Sequence, residues 1–325
     1  MEFGELVEVD IQTIWDMETK FSGWLADNLN VLGDVLDVEL ELVQTEAPVY
    51  KFSADILAQE LQENRKVIIE NQFGVSNHDH LGKIVTYSAG YESYICVWIA
   101  EDFKAAHIKA LEWLNERTDV KTMFFAFNIR VFRIDQSRPM YELRSVVKPN
   151  NWQGEIRRST VKNPTPFQVK YLDFFTSLIE ELRTKHNFTR AKAGQSQHYF
   201  NFASGVSGLR YGTSFAQNDR VRVELYIDRG DKKVNKSIFD IMMSQKEQYE
   251  KAYGMELTWE RLDDGKSSRI AVYRPGKIDS TDDVLEEIKN WTIKNLLKFK
   301  EVFPLELLKN LLVQTEAMGN RISIE

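Results

Sequence analysis

Two acidic side chains in the first third of the chain are spaced so that they could bind a cation together. The segments around Asp55 (residues 49–57) and Glu70 (residues 66–73) are predicted strands, and residues 62–64 are typical of a turn between them. In an antiparallel hairpin, positions whose numbers sum to about 125 would then face each other, which places Asp55 beside Glu70. Close carboxylates repel each other unless a cation lies between them, and Mg²⁺ prefers oxygen ligands. The pair predicts a metal site suited to phosphodiester hydrolysis, although solvated carboxylates near strand ends are the simpler alternative.

A helix directly after the second strand would bring more polar side chains near the carboxylates. Residues 78–90 are predicted to form this helix, with Asn77 or Asp79 as its cap and Gly90 as its end. Its apolar or small face is predicted to consist of Leu81, Ile84, Val85 and Ser88. A second, polar face is predicted from the three- and four-residue offsets of His80, Lys83 and Tyr87.

A third acidic residue, Glu18, falls within the apolar stripe of an earlier predicted helix. That helix would be capped by Asp10 and would bury Ile11, Ile14, Phe21 and Leu25. A carboxylate that points inward is costly unless it is paired, hydrogen-bonded or near a metal. Glu18 is therefore a candidate member of the same site.

These residues resemble the PD-(D/E)XK nuclease superfamily over roughly residues 10–135. The resemblance lies in Glu18 on a first helix, Asp55 on a strand, Glu70-Asn71-Gln72 on the next strand, and a helix with Lys83 and Tyr87. Residues 98–101, 107–116 and 124–125 are similar to a bacterial and archaeal branch of that superfamily. In that branch the nuclease-like half is joined to a second, uncharacterised domain.

The resemblance implies a fold, a cofactor and a substrate. The first domain would have a restriction-endonuclease-like core, and Mg²⁺ or Mn²⁺ would be bound by Asp55, Glu70 and the backbone carbonyl of Asn71. Glu18 would complete a second metal shell, and the site would be lined by His80 and Tyr87. The implied activity is hydrolysis of DNA, with duplex DNA as the partner, and the implied role is restriction or defence.

The chain departs from the superfamily pattern at Gln72, where a lysine is usual. Glutamine cannot carry the lysine's charge, and three interpretations stay open. Gln72 could orient the attacking water in an active enzyme, or Lys83 on the neighbouring helix could supply the charge. The third is a catalytically degenerate protein that acts as a nucleic-acid-binding or regulatory module.

Composition is that of an ordinary globular protein. The chain is 43% apolar and 28% charged. Its 325 residues are enough for two domains with separate cores. No apolar stretch approaches the length of a membrane span and the acidic N-terminus is unlike a signal peptide, so we expect no membrane partner and a cytoplasmic location. The single cysteine, Cys96, excludes a disulfide framework.

The net charge of −7 conceals an asymmetry between the halves of the chain. Residues 1–150 contain 14 Lys and Arg against 25 Asp and Glu, whereas residues 151–325 contain 28 against 24. The basic clusters of the second half predict a surface that contacts nucleic-acid phosphates, and its candidate residues are Arg157, Arg158, Lys232 and Lys233. A homodimer or a protein partner is also left open.

The pattern of strands and helices predicts two α+β domains. We expect a nuclease-like domain at residues 1–148, a linker at 149–166 rich in proline, and a partner domain of unknown role at 167–325. In the first domain a buried strand, a helix over residues 102–117 and a strand over 123–134 predict a crossover on a mixed sheet. His107 lies in the apolar stripe of that helix, which favours a core histidine.

Overall fold

The structure, a computed structural model, describes residues 4–62, 64–118, 122–149, 165–192 and 194–322. The chain divides into two compact units, Met1–Glu155 and Ile156–Glu325, and each contains helices and a sheet. The predicted fold class, two α+β domains, is confirmed. Most of the predicted linker, residues 150–164, lies outside the described residues.

Unit 1 is built on a mixed sheet with helices packed against it. Its elements are β1 (Leu6–Val9), a 3-10 helix (Ile11–Thr13), α1 (Glu18–Asp27), α2 (Leu29–Leu36), β2 (Leu40–Val49), β3 (Phe52–Glu60), β4 (Arg65–Val75), α3 (His78–Tyr91), β5 (Ile95–Asp102), α4 (Ala105–Arg117), β6 (Met123–Ile134) and β7 (Met140–Val147). The strand order is β1-β6-β5-β4-β3-β2, and β7 also pairs with β6. Strands β4, β5 and β6 are parallel to one another, and the other pairs are antiparallel. The predicted crossover on a mixed sheet is therefore confirmed.

One core layer of unit 1 lies between the sheet and helices α3 and α4. Trp98 on β5 is fully buried, and it packs with Phe103 at 5.0 Å between ring centroids. Ile84 on α3 and Leu111 on α4 are buried in the same cluster. This layer fixes the position of α3 over the sheet.

Three helix or strand boundaries differ from the sequence predictions. Asp10 caps only the 3-10 helix, and α1 begins at Glu18 instead of continuing from residue 11. Helix α3 is capped by Asn77, whose side chain accepts from the His80 N–H, and it runs past Gly90 to Tyr91. The predicted strand at residues 49–57 is divided, because a turn at Tyr50 and Lys51 separates β2 from β3. Tyr50 has a positive φ of 54°, a conformation that is uncommon for tyrosine and is therefore not predicted from the sequence.

Unit 2 packs helices on one face of an antiparallel sheet. Its elements are α5 (Pro166–Thr184), β8 (Tyr199–Val206), β9 (Leu209–Ala216), β10 (Arg220–Ile227), α6 (Lys232–Met243), α7 (Lys246–Tyr253), β11 (Thr258–Glu260), β12 (Ser268–Pro275), α8 (Asp282–Val302) and α9 (Leu305–Ile322). The strand order is β11-β12-β10-β9-β8. Side chains from every one of these helices join one hydrophobic cluster with the odd-numbered residues of β10, Val221 to Ile227. Among the described residues, no helix is long and apolar enough to cross a membrane.

Candidate functional site

Asp55 and Glu70 lie side by side on neighbouring antiparallel strands. Ile56 pairs with Ile69 and Leu57 with Ile68, so the predicted register is confirmed. The backbone N–H of Asp55 donates to Glu70 Oε1 at 3.3 Å, and Asp55 Oδ2 accepts from the backbone N–H of Asn71 at 2.7 Å. The hairpin itself therefore holds the two carboxyl groups together.

Both carboxyl groups are withdrawn from water. Glu70 is fully buried and Asp55 is half-buried. Burial, together with the charge of Asp55, raises the pKa of Glu70 to about 8. Burial also raises the pKa of Asp55 to about 6, against the opposing effect of its bond from Asn71. The charge of Lys83 lowers both pKa values, but it does not offset burial.

Three consecutive residues of β4 carry buried oxygen atoms without a hydrogen-bond partner among the described residues. These atoms are Glu70 Oε2, Asn71 Oδ1 and Gln72 Oε1. The amide of Asn71 donates to Ser22 Oγ at 2.8 Å, and that of Gln72 donates to the carbonyl of Val75 at 2.8 Å. Because side chains alternate along a strand, Glu70 and Gln72 share one face and Asn71 lies on the other. That face therefore carries two oxygen atoms that could bind a cation, and Glu70 Oε2 could instead accept a proton.

The end of β4 is enclosed by two further carboxylates. Glu18 Oε1 accepts from the backbone N–H of Phe73 at 2.8 Å, and Glu101 Oε1 accepts from that of Gly74 at 2.7 Å. This hydrogen bond offsets the cost of placing the Glu18 carboxylate within the apolar stripe. Sequence reasoning missed Glu101 as a site residue. Its position near the carboxyl end of β5, a buried strand parallel to β4, is the available signal, because the carboxyl ends of parallel strands meet at one edge of a sheet.

Helix α3 brings His80, Lys83 and Tyr87 over this part of the sheet. His80 and Tyr87 are buried, at 9% and 2% exposure, and Lys83 is half-buried. The predicted separation into an apolar and a polar face is wrong, because Val85 is 39% exposed whereas His80 and Tyr87 pack inward. Burial lowers the pKa of His80, and burial together with the charges of Glu70 and Asp55 raises the pKa of Tyr87.

Glu46 on β2 is another acid near the pair that the sequence did not indicate. The neighbouring cross-strand pairs are Thr45 with Ile56 and Ala47 with Ala54, so Glu46 falls level with Asp55. Its Oε2 accepts from the Ser53 hydroxyl at 3.0 Å, and its backbone has a positive φ of 46°. The charge of Glu46 raises the pKa of both Asp55 and Glu70. No sequence signal identifies it, because acidic residues are frequent throughout this half of the chain.

The residues fit a divalent cation in their chemistry but do not form a large ligand set. Within the described residues, no group of three or more His, Cys, Asp or Glu is arranged to hold a metal ion. Asp55 and Glu70 nevertheless offer carboxylate oxygens whose protonated forms are favoured by burial, and Glu70 Oε2 has no other partner. A bound cation would favour the ionised forms and satisfy that oxygen. The pair could therefore bind a cation together with main-chain and solvent oxygens.

His107 is confirmed as a core histidine. It is 1% exposed, with Nδ1 2.7 Å from Ser76 Oγ and Nε2 2.9 Å from His78 Nδ1. Burial lowers the pKa of His107, and the adjacent His78 adds to this effect. Both ring nitrogens are therefore engaged within unit 1.

Two of the four candidate DNA-contacting residues of unit 2 lie within the described part of the chain. Lys232 and Lys233 are exposed at the start of α6. Arg157 and Arg158 lie outside the described residues. Lys236 belongs to the same cluster in the sequence but is buried, because its ammonium group donates to the carbonyls of Leu262 at 2.8 Å and Ser267 at 2.6 Å. Lys236 therefore stabilises the β11–β12 hairpin, and its charge is not available to contact a phosphate from solvent.

The alternating sequence of residues 220–228 predicts a half-buried strand, and its apolar residues Val221, Val223, Leu225 and Ile227 are indeed buried on β10. The same pattern places Glu224 on the opposite, solvent-exposed face, yet Glu224 is buried and lies within 3.0 Å of Arg222 and 3.3 Å of Arg269. The two arginines compensate the buried charge. Glu224 and Glu260 are therefore engaged with cationic side chains rather than arranged as a second acidic site.

Comparison with known proteins informs only the second unit. Residues 170–305 match the model of a family described as a domain of unknown function, DUF4268. No curated protein and no solved structure matches the chain. The match agrees with the expectation that an uncharacterised domain follows the first one. The resemblance of unit 1 to PD-(D/E)XK nucleases stays a prediction, and what these comparisons establish is the similarity of residues 170–305 to the DUF4268 family.

Proposed function

We propose that unit 1 hydrolyses DNA phosphodiester bonds with Mg²⁺ or Mn²⁺, in a role such as restriction or defence. The observation that carries the proposal is the pairing of Asp55 with the buried Glu70, whose Oε2 has no partner among the described residues. Without a cation the protonated forms of such a pair are favoured, and a bound cation would favour the ionised carboxylates that could hold it. Perturbed carboxyl groups of this kind are concentrated at functional sites.

Residues of β3 and β4 would bind the cation directly, and a residue of α1 would support them. Asp55, Glu70 and the backbone carbonyl of Asn71 would hold it, and Glu18 would contribute to a second shell. When bound, a divalent ion polarises a phosphate and lowers the pKa of a water ligand. Asp55 and Glu70 would be ionised in that state, so either carboxylate could accept a hydrogen bond from the attacking water.

Gln72 and Lys83 would replace the lysine of the related nucleases. Gln72 Oε1 has no partner among the described residues, so it can accept a hydrogen bond from water and orient it. It cannot take the proton at neutral pH or neutralise charge. The ammonium group of Lys83 already acts on both carboxyl groups, so its charge is available where negative charge develops on the phosphate.

The second candidate function is a binding or regulatory module that has lost catalysis. Two observations favour it: the neutral Gln72 at the lysine position, and the lack of a three-residue metal-ligand group in the described part of the chain. In this case the Asp55–Glu70 pair would share a proton and hold no metal. Nucleic-acid binding would then persist without cleavage.

The test is cleavage of supercoiled plasmid and of labelled oligonucleotides by the full chain, with Mg²⁺, Mn²⁺ or EDTA. Glu70→Gln and Asp55→Asn should each abolish cutting, because they remove a ligand charge while conserving side-chain size. The matched control is Glu116→Gln, which neutralises an exposed carboxylate on α4 and should cut as the parent does. If Glu70→Gln cuts as well as the parent, the site is wrongly assigned. If the parent binds DNA and cuts no form with either metal, the binding-module function is supported.

A further inference from the structure

The turn between β2 and β3 exposes two aromatic rings beside the carboxylate site. Tyr50 is 84% exposed and Phe52 is 62% exposed, and Tyr50 is the most exposed of the large apolar side chains among the described residues. Lys51 lies between them and is also exposed. Tyr50 and Phe52 are called the aromatic turn below. Leaving such rings in water is unfavourable, and a ligand stacked on them would remove this cost.

The backbone of the turn adds a second cost. Val49 pairs with Phe52, so Tyr50 and Lys51 are the central residues of a two-residue hairpin loop. Only the first central position, Tyr50, has a positive φ, which is the pattern of a type II′ turn. Glycine is favoured there because a side chain strains the left-handed conformation. A bulky tyrosine at this position is therefore locally unfavourable.

The aromatic turn is continuous with the carboxylate site through Tyr87. The Phe52 and Tyr87 rings are 6.4 Å apart between centroids, and Tyr87 is close enough to Glu70 and Asp55 to respond to their charges. The ring of Tyr50 lies over Gly90 at the end of α3, where an added Cβ would come within 3.1 Å of Tyr50 Cε2. Both rings are thus held against α3, on the side that carries Lys83 and Tyr87 toward the site.

We propose that the aromatic turn stacks unpaired DNA bases, so that the strand entering the carboxylate site is single-stranded or locally opened DNA. The inference rests on the proposed function, because it takes the DNA phosphate to lie near Asp55 and Glu70. In a duplex the faces of the bases are stacked on one another, and only unpaired bases offer a free face to a protein ring. Lys51 is placed to contact a phosphate of the same strand.

Charge balance favours stacking over phosphate contacts as the main attraction in this unit. Residues 1–150 carry 14 basic against 25 acidic side chains, so the net charge of this half of the chain is unfavourable for binding a polyanion. Stacking between a base and an aromatic ring does not depend on that charge. Each such ring typically contributes about tenfold or more in affinity for a single strand.

The experiment measures binding of a short single strand that contains 2-aminopurine, and of the same strand annealed to its complement. The full chain is used in the Glu70→Gln background with EDTA, so that nothing is cut. We expect Tyr50→Gly and Phe52→Ala each to lower affinity for the single strand about tenfold or more and to reduce the change in 2-aminopurine fluorescence, with little change for the duplex. Tyr50→Gly is chosen because glycine suits the turn, so loss of folding cannot explain the result.

Two controls accompany these variants. Tyr50→Phe keeps a ring and should bind as the parent does. Trp113→Ala removes an exposed ring from α4, which packs on β6 three strands away from β3, and should also leave binding unchanged. The inference is overturned if Tyr50→Gly and Phe52→Ala bind the single strand normally, if both DNA forms weaken equally, or if the Glu70→Gln chain binds neither form.

Cleavage by the chain with native Glu70 separates this inference from the proposed function. If that chain cuts DNA while the aromatic-turn variants bind single strands normally, the function stands and the inference fails. If that chain cuts nothing while the variants lose single-strand binding selectively, stacking by the aromatic turn stands and hydrolysis fails.

Discussion

The backbone N–H of Asp55 donates to the side chain of Glu70 at 3.3 Å, so the two carboxyl groups are brought together by the hairpin and not by a bridging cationic side chain. Glu70 is fully buried, and its second oxygen has no partner among the described residues. Their mutual repulsion is therefore balanced by protonation in the absence of a cation. This relationship gives predictions that can be measured without observing any cleavage.

Divalent cations should raise the melting temperature of the parent chain more at pH 8 than at pH 5. Protons compete with the cation for Glu70, whose pKa is raised to about 8 by burial. At a cation concentration of about 100 times Kd, the gain of about 2.7 kcal/mol corresponds to an increase of several degrees. Differential scanning fluorimetry with Mn²⁺ or Mg²⁺ measures this. Glu70→Gln should lose most of the increase and Glu116→Gln should retain it; equal shifts in all three chains would contradict a cation at Glu70.

Without metal, the stability of the parent chain should fall as the pH rises from about 5 to 8. The folded chain keeps a proton on Glu70 up to about pH 8, whereas the unfolded chain releases it near pH 4.5. The folded state thus binds more protons in this window, and the free energy of unfolding decreases by up to about 1.4 kcal/mol per pH unit. Asp55 contributes with the same sign below about pH 6. Urea unfolding of Glu70→Gln in EDTA should show a shallower pH dependence; an unchanged slope would mean that Glu70 is ionised in the folded chain.

Substitutions at Lys83 and Gln72 should distinguish the two ways of replacing the missing lysine. If the Lys83 charge stabilises the transition state, Lys83→Met should reduce the cleavage rate about 100-fold or more, and Gln72→Lys should be tolerated. If Gln72 orients the water, Gln72→Ala should be inactive and Lys83→Met close to normal. Single-turnover cleavage rates decide between them. Val85→Met, at an exposed position on the same helix, is the matched control and should cut normally.

The second unit should supply much of the affinity for duplex DNA, because the first unit is acidic. Log affinity should fall linearly with log salt, by roughly 0.9 per phosphate neutralised. Replacing Arg157, Arg158, Lys232 and Lys233 by alanine should flatten that slope, whereas replacing the exposed Lys251 and Lys309 should not. Binding titrations at several salt concentrations provide the measurement. An unchanged slope in the quadruple variant, with full affinity in a fragment of residues 1–150, would indicate that unit 2 binds a protein partner instead.

The sequence by itself determined the features that depend on neighbours along the chain. The pairing of Asp55 with Glu70 could be predicted because a hairpin's register follows from its turn and from the alternation of its two strands. The crossover through α4 and the burial of His107 followed from hydrophobic periodicity in the same way. The clustering of basic residues in the second half was equally visible, but their exposure was not.

Tertiary structure alone decided which polar side chains face the site. His80 and Tyr87 form part of the buried face of α3 because the sheet, whose strands come from distant segments, covers that side of the helix. Glu46 enters the site through the pairing of β2 with β3, which sequence spacing does not specify, and Lys236 is buried by a hairpin about 25 residues further on. The turn at Tyr50 was missed because tyrosine is a strand-forming residue and its left-handed backbone is imposed by the pairing of β2 with β3. Burial and charge environment are sums over residues far apart in the sequence, so they are fixed only when the chain has folded.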